Sequence, residues 1–239
     1  MIKKWKAAIY GAVSGDAIGV PVEFTSREDR KADPVIGMRA YGTHNQPAGT
    51  WSDDSSMILA TMDSIAEQGK LDYENIMERF GQWCLYGDYT PFGELFDIGD
   101  ATVAAIKKYG RGALPIDAGG TGEWDNGNGS LMRILPACLF VINNKSSNII
   151  EDIKKIHSTS ALTHAHLRSK IACGLYYFMI RALIEYEGSM VERLQMGIKE
   201  AVEFYRQDDR NVDELENYKR LYDLAEFRML SEQDIKSSG

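Results

Sequence analysis

An all-α fold is predicted, and three observations predict it. Apolar residues recur at helical spacing in segment after segment, strand-like alternation is almost absent, and polar, glycine-containing connections punctuate the chain. With no repeat period and no low-complexity stretch, a single-domain orthogonal helical bundle over residues 1–239 is the simplest architecture. A hydrophobic content of 44% with 26% charged residues supplies the core such a bundle needs.

The elements follow in order. A first helix is expected over Ala7 to Ile18, where Ala8, Ala12 and Gly15 allow a neighbour to approach closely. Residues 25–50 carry charges, prolines and glycines and read as an irregular surface loop that includes His44. From Ser55, the spacing of Ile58, Met62 and Ile65 predicts a second helix, and Ile76, Phe80 and Trp83 predict a third over Tyr73 to Cys84. A polar passage from Tyr86 to Gly99 leads to a helix over Asp100 to Lys108, and a glycine-rich loop spans Gly119 to Gly129. Further helices are expected over Leu131 to Val141, Ile149 to His157, Ser169 to Tyr186, Met190 to Tyr205 and, as one amphipathic unit, Val212 to Leu230.

Charge and cysteine content narrow the function classes. A net charge of −8 disfavours nonspecific attachment to nucleic acid or to an anionic membrane, which leaves a soluble, non-polyanionic partner as the default. Cys84, Cys138 and Cys173 are scattered and odd in number, without CxxC spacing, as expected of reduced thiols in a cytoplasmic protein. The amino-terminal segment lacks the uninterrupted apolar run of a signal peptide or membrane span.

Ser52-Asp53-Asp54-Ser55 is the most informative local pattern, because it sets two carboxylates and two hydroxyls at a helix start. Adjacent carboxylates repel, and a hard divalent cation between them resolves the repulsion. The competing reading is helix capping, for which Ser and Asp are favoured residues. Asp16, Glu23, Asp97 and Asp100 each sit where a helix meets a loop, so each can bind a metal, orient a water, accept from a sugar diol or cap a helix. Gly127-Asn128-Gly129-Ser130 makes a turn whose backbone N–H groups suit a phosphate or sugar, and Arg133 just after it is either a charged anchor or part of a buried salt bridge. His164 and His166 lack a third soft ligand nearby in sequence, so a substrate-contacting histidine is preferred to a zinc ligand, with Thr163 as a helix cap. His157 reads as an ordinary helix residue. Gly120-Thr121-Gly122 has neither the third fingerprint glycine nor a preceding strand and is not a dinucleotide motif.

Taken together and in order, Gly15-Asp16-Ala17-Ile18-Gly19 with Pro21-Val22-Glu23-Phe24, Gly49-Thr50-Trp51-Ser52-Asp53-Asp54-Ser55, Phe96-Asp97-Ile98-Gly99, Gly127-Asn128-Gly129-Ser130-Leu131-Met132-Arg133 and Thr163-His164 resemble the ADP-ribosylglycohydrolase family. The resemblance implies an all-α hydrolase that uses a pair of Mg2+ or Mn2+ ions to release ADP-ribose from a modified protein side chain or a related small molecule. It implies that Ser52, Asp53 and Asp54 are metal ligands, that Glu23 lies on a mobile segment over the metals, and that Asp97 is an acid/base group at the ribose. Gly127, Asn128, Gly129, Ser130, Met132 and His164 would line the ADP-ribose cleft.

The family's carboxy-terminal Asp-x-Asp-Thr motif has no counterpart here, where the sequence closes on Ser237-Ser238-Gly239. The expectation that follows is a carboxy-terminally truncated member with an incomplete metal centre and impaired turnover, or one that only binds ADP-ribose or serves a structural role. Apolar surface left open by missing helices would be covered by a homodimer or by a separate carboxy-terminal fragment.

Overall fold

The computed structural model describes residues 2–231 and 234; the sequence's closing residues, on which the truncation reading rests, lie outside them. Eleven α-helices are present among the described residues: α1 (Ile2–Gly19), α2 (Arg27–Ala32), α3 (Asp53–Gln68), α4 (Tyr73–Tyr86), α5 (Asp100–Gly110), α6 (Leu135–Asn143), α7 (Ile149–Ala161), α8 (Leu167–Glu185), α9 (Met190–Tyr205), α10 (Asp209–Leu215) and α11 (Leu224–Phe227). No strand occurs among those residues, only isolated bridges pairing Tyr41 with Gln46 and Gly120 with His164. The fold is all-α, as the sequence predicts.

Local chemistry sets the helix ends. Asp72 caps α4 by accepting from the Asn75 N–H, and Gly87 closes the helix in the left-handed conformation that glycine adopts without steric cost. Ser189 and Glu192 form a reciprocal capping box at the start of α9. The expected helix over 131–141 instead begins at Leu135. Pro136 lacks an N–H and its ring clashes with a preceding carbonyl in a helix interior, so it is tolerated in the first turn and not five residues into a helix. Residues 128–130 form a separate 3₁₀ turn.

Two other expectations are corrected. Residues 25–50 are not wholly irregular, because Ser26 caps the short α2. The segment over Val212 to Leu230 is not one helix: α10 runs into a 3₁₀ turn at Glu216–Leu221, and α11 starts afresh after Asp223, whose carboxylate accepts from the N–H groups of Ala225 and Glu226. Gln195 on α9 reinforces the break, donating to the Tyr222 carbonyl and accepting from the Leu224 N–H, which removes those groups from a continuous helical ladder.

Two apolar clusters hold the helices together. The larger joins α6 through α10 by way of Val141, Ile153, Ile171, Phe178, Ile198 and Leu215. The smaller packs Met57 of α3 against Ile76, Phe80 and Trp83 of α4 and Ile106 of α5. Helices α8 and α9 approach closely at Gly174, where a Cβ would lie 1.7 Å from the Tyr205 hydroxyl oxygen, and at Gly197, where it would lie 2.7 Å from the Phe178 carbonyl oxygen. Cys138 and Cys173 are buried free thiols, and Cys84 is half-buried. An open apolar groove of about 530 Å³ runs between α1, α3 and α6, lined in part by Trp5, Tyr10, Met62 and Phe140. Among the described residues, no helix is long and apolar enough to cross a membrane.

Candidate active site

The end of α1 meets the start of α3 through Asp16. Its carboxylate accepts the Ser52 N–H at 3.0 and 3.1 Å, the Ser52 hydroxyl at 2.7 Å, the Ser55 N–H at 3.1 Å and the Ser55 hydroxyl at 2.6 Å. The capping question raised by the sequence is thereby resolved in an unexpected way. Ser52 occupies the N-cap position of α3 but makes no side-chain cap bond of its own. The cap is supplied across 36 residues by Asp16, so Asp54 is not needed there and Asp53 accepts only the adjacent Asp54 N–H, at 3.1 Å.

These two carboxylates are crowded. Asp53 is buried and Asp54 half-buried, both in the first turn of α3. Burial pushes the Asp53 carboxyl up to about 7, helped by the neighbouring charges of Asp54, Asp97 and Asp16. Burial likewise raises Asp54 to about 6, with Asp16 and Glu23 adding repulsion that the Ser52 hydroxyl partly offsets.

Glu23 and Asp97 complete the acidic cleft. Glu23 follows the 3₁₀ turn Val20–Val22, and its Oε2 lies 2.7 Å from His44 Nε2. One cavity of about 530 Å³ is lined by Asp16, Glu23, Ser52, Asp54 and Met132. An adjoining narrow cleft brings Asp97 beside Ser52, Asp53, Trp83 and Phe96. Thus Glu23, Ser52, Asp53, Asp54, Asp97 and Met132, spread over 110 positions of sequence, share one region.

The glycine-rich loop is braced from beneath by His164. Gly127 and Asn128 are exposed, whereas Ser130 is wholly buried with its hydroxyl accepting from Ser160 at 2.9 Å. A Cβ on Gly129 would lie 2.6 Å from His164 Cε1, so only glycine permits this contact. His164 is buried, its Nδ1 2.9 Å from the Thr163 hydroxyl, and burial together with the Arg133 charge lowers its pKa to about 4. Thr163 does not cap α8, as the sequence suggests; His166 does, accepting from the Arg168 N–H. Thr163 instead accepts from Arg133 Nη2 at 2.7 Å.

Arg133 is fully buried and forms no salt bridge among the described residues. Its guanidinium donates to the Thr159 carbonyl at 3.1 Å and lies over the Phe80 ring, 4.9 Å from the centroid. It ties the start of α6 to the α7–α8 connection beneath the loop. His157 is likewise more than an ordinary helix residue, being stacked on Tyr205 with its Nε2 2.7 Å from that hydroxyl. Sequence reasoning left His44 outside the site. A lone histidine in a Gly/Pro-containing loop carries no helical or metal-spacing signal, and only the folding of residues 41–46 against Glu23 reveals it.

An all-α scaffold whose helix starts and loops converge on a carboxylate-rich cleft defines the class: a helical protein with an acidic site at the meeting of α1 and α3. The chain belongs to the ADP-ribosylglycohydrolase family, whose sequence model matches residues 2–238. It is 32% identical over 162 residues to the ADP-ribosylarginine hydrolase Tri1 of Pseudomonas putida, covering 66% of this chain and 41% of that protein. It is 29% identical over 194 residues to the ADP-ribosyl-[dinitrogen reductase] glycohydrolase of Rhodospirillum rubrum, covering 76% and 58% respectively. The chain spans about half the length of the curated relatives it matches.

Proposed function

We propose that this protein hydrolyses the glycosidic bond between ADP-ribose and an acceptor side chain, with arginine favoured by the names of its relatives, and that it does so with divalent-metal assistance. The observation that supports this best is the crowded acidic cleft, in which burial and the repulsion of neighbouring carboxylates push Asp53 and Asp54 up to about 7 and about 6. The donor set is all oxygen, a serine hydroxyl and two carboxylates, and fits the hard ions Mg2+ or Mn2+. Ser52, Asp53 and Asp54 would hold such an ion, which supplies charge to polarise a water or a ribose diol.

The chain's own groups account for the remaining requirements. Hydrolysis consumes one water: its oxygen bonds to the anomeric carbon, the bond from that carbon to the acceptor breaks, and a proton passes to the departing acceptor. Asp97 and Glu23, half-buried carboxylates at the cleft, are the groups placed to take and return that proton. The exposed backbone at Gly127 and Asn128 offers N–H donors to the ADP-ribose diphosphate or sugar, over a floor set by neutral His164, while Met132 lines the apolar side of the cavity.

Release of free ADP-ribose from a mono-ADP-ribosylated protein, followed by chromatography with Mg2+ and with chelator, tests the reading. Release should require the ion and should disappear in the Asp53→Ala, Asp54→Ala double variant. Asp97→Asn should slow release by about 10²–10⁴-fold, the usual worth of a positioned acid or base. Folded protein that binds ADP-ribose without releasing it from the conjugate would replace the hydrolase with a binding protein.

A further inference from the structure

The carboxylates of Glu23 and Asp97 share a third neighbour that the proposed reaction does not use. One ligand atom from each of Glu23, His44 and Asp97 lies within 4.8 Å of the other two. The 2.7 Å contact accounts for Glu23 and His44 but not for the second carboxylate, for which no side-chain hydrogen bond is made among the described residues. The imidazole is also held in place. It is largely buried, packs against Phe96 and Phe24 at centroid distances of 5.3 and 6.0 Å, and the loop carrying it is pinned by the Thr43 hydroxyl donating to the Glu23 carbonyl at 2.6 Å.

We propose that Glu23, His44 and Asp97 form a transition-metal site, best matched to Zn2+, distinct from the oxygen-only set on α3. One nitrogen and two carboxylate oxygens are borderline donors, which zinc takes with bonds of about 2.0–2.2 Å. Ligand atoms on a tetrahedral ion with such bonds stand about 3.3–3.6 Å apart, so the triad closes on it by side-chain rotations that part Glu23 from His44, now 2.7 Å apart. Three protein ligands leave a position open for water. The neighbouring Asp53 and Asp54 charges favour any cation here, and the imidazole is what selects zinc over magnesium. Occupation withdraws Glu23 and Asp97 from proton transfer, so zinc inhibits; that consequence rests on the hydrolase reading, whereas the binding site does not.

The test uses the full chain stripped with chelator, with Co2+ as the visible probe and Zn2+ as competitor. The Asp53→Asn, Asp54→Asn double variant should still bind one Co2+ with a d–d absorption band that Zn2+ abolishes. Adding His44→Gln should weaken that binding by at least about tenfold. In unmodified protein, Zn2+ should shift the side-chain nitrogen resonances of His44 and leave those of His157 and His164 in place, a readout that needs no variant. The proposal is overturned if the His44 resonances do not move at stoichiometric Zn2+, if His44→Gln changes affinity by less than about threefold in folded protein, or if the double variant loses the Co2+ band. A chain without hydrolase activity that nonetheless passes these binding tests retains the zinc site and loses only the inhibitory role.

Discussion

Asp16 has the largest structural role of any single carboxylate in this protein. It accepts two backbone N–H groups and two hydroxyls at the start of α3, and by doing so it leaves Asp54 to line the cavity with Glu23 and Asp53 to line the narrow cleft with Asp97. Replacing it by alanine strands those donors in a half-buried place, although it also relieves repulsion on the aspartate pair. The expected net result for Asp16→Ala is a loss of about 1–3 kcal/mol in urea unfolding, with Asp16→Asn milder because one oxygen still accepts. A change within about 0.5 kcal/mol would show that solvent caps α3 equally well. Asp16 was visible in the sequence as a candidate cap, but the helix it caps begins 37 residues later, and no local pattern encodes that partner.

At the scale of elements, close approach of helices sets what can be varied. The α8–α9 contact exists because Gly174 makes room for the Tyr205 hydroxyl, which in turn meets His157 on α7. Gly174→Ala forces that ring away, and overpacking of this kind costs about 1–3 kcal/mol. Thermal unfolding of the variant should show the loss, and Tyr205→Phe in the same background should recover part of it by removing the clashing oxygen; no recovery would place the strain elsewhere. The helices whose ends are set by residues beside them, such as α4 and α9, were legible in the sequence to within a few positions. The segment after Val212 was not, because its periodicity is broken by Gln195, a residue of another helix that competes for its backbone groups.

For the molecule as a whole, the acidic cleft couples folding to protons and to cations. Asp53 and Asp54 keep their protons to about 7 and about 6 when folded but release them from an ordinary value of 3.8 when unfolded, so in metal-free protein their contribution to stability declines as pH rises from about 4 to about 7. His157 and His164, held neutral down to about 4, act in the opposite direction between about 4 and 6.5. The aspartate contribution is therefore read as the difference between wild type and the Asp53→Asn, Asp54→Asn variant. That variant should gain melting temperature relative to wild type at pH 7.5 without metal, and Mg2+ should raise wild type only. Equal stabilisation of both proteins by Mg2+ would detach the ion from this pair. By itself the sequence determined the helical class, most helix positions and the acidic motifs of the cleft, because periodicity, caps and short charged patterns are local properties of the chain. Which carboxylate caps α3, the burial of Arg133 with no counter-charge among the described residues, and the meeting of His44 with Glu23 and Asp97 were decided only by the tertiary structure, since each depends on the distance between groups remote in sequence, and desolvation and charge repulsion are set by that distance.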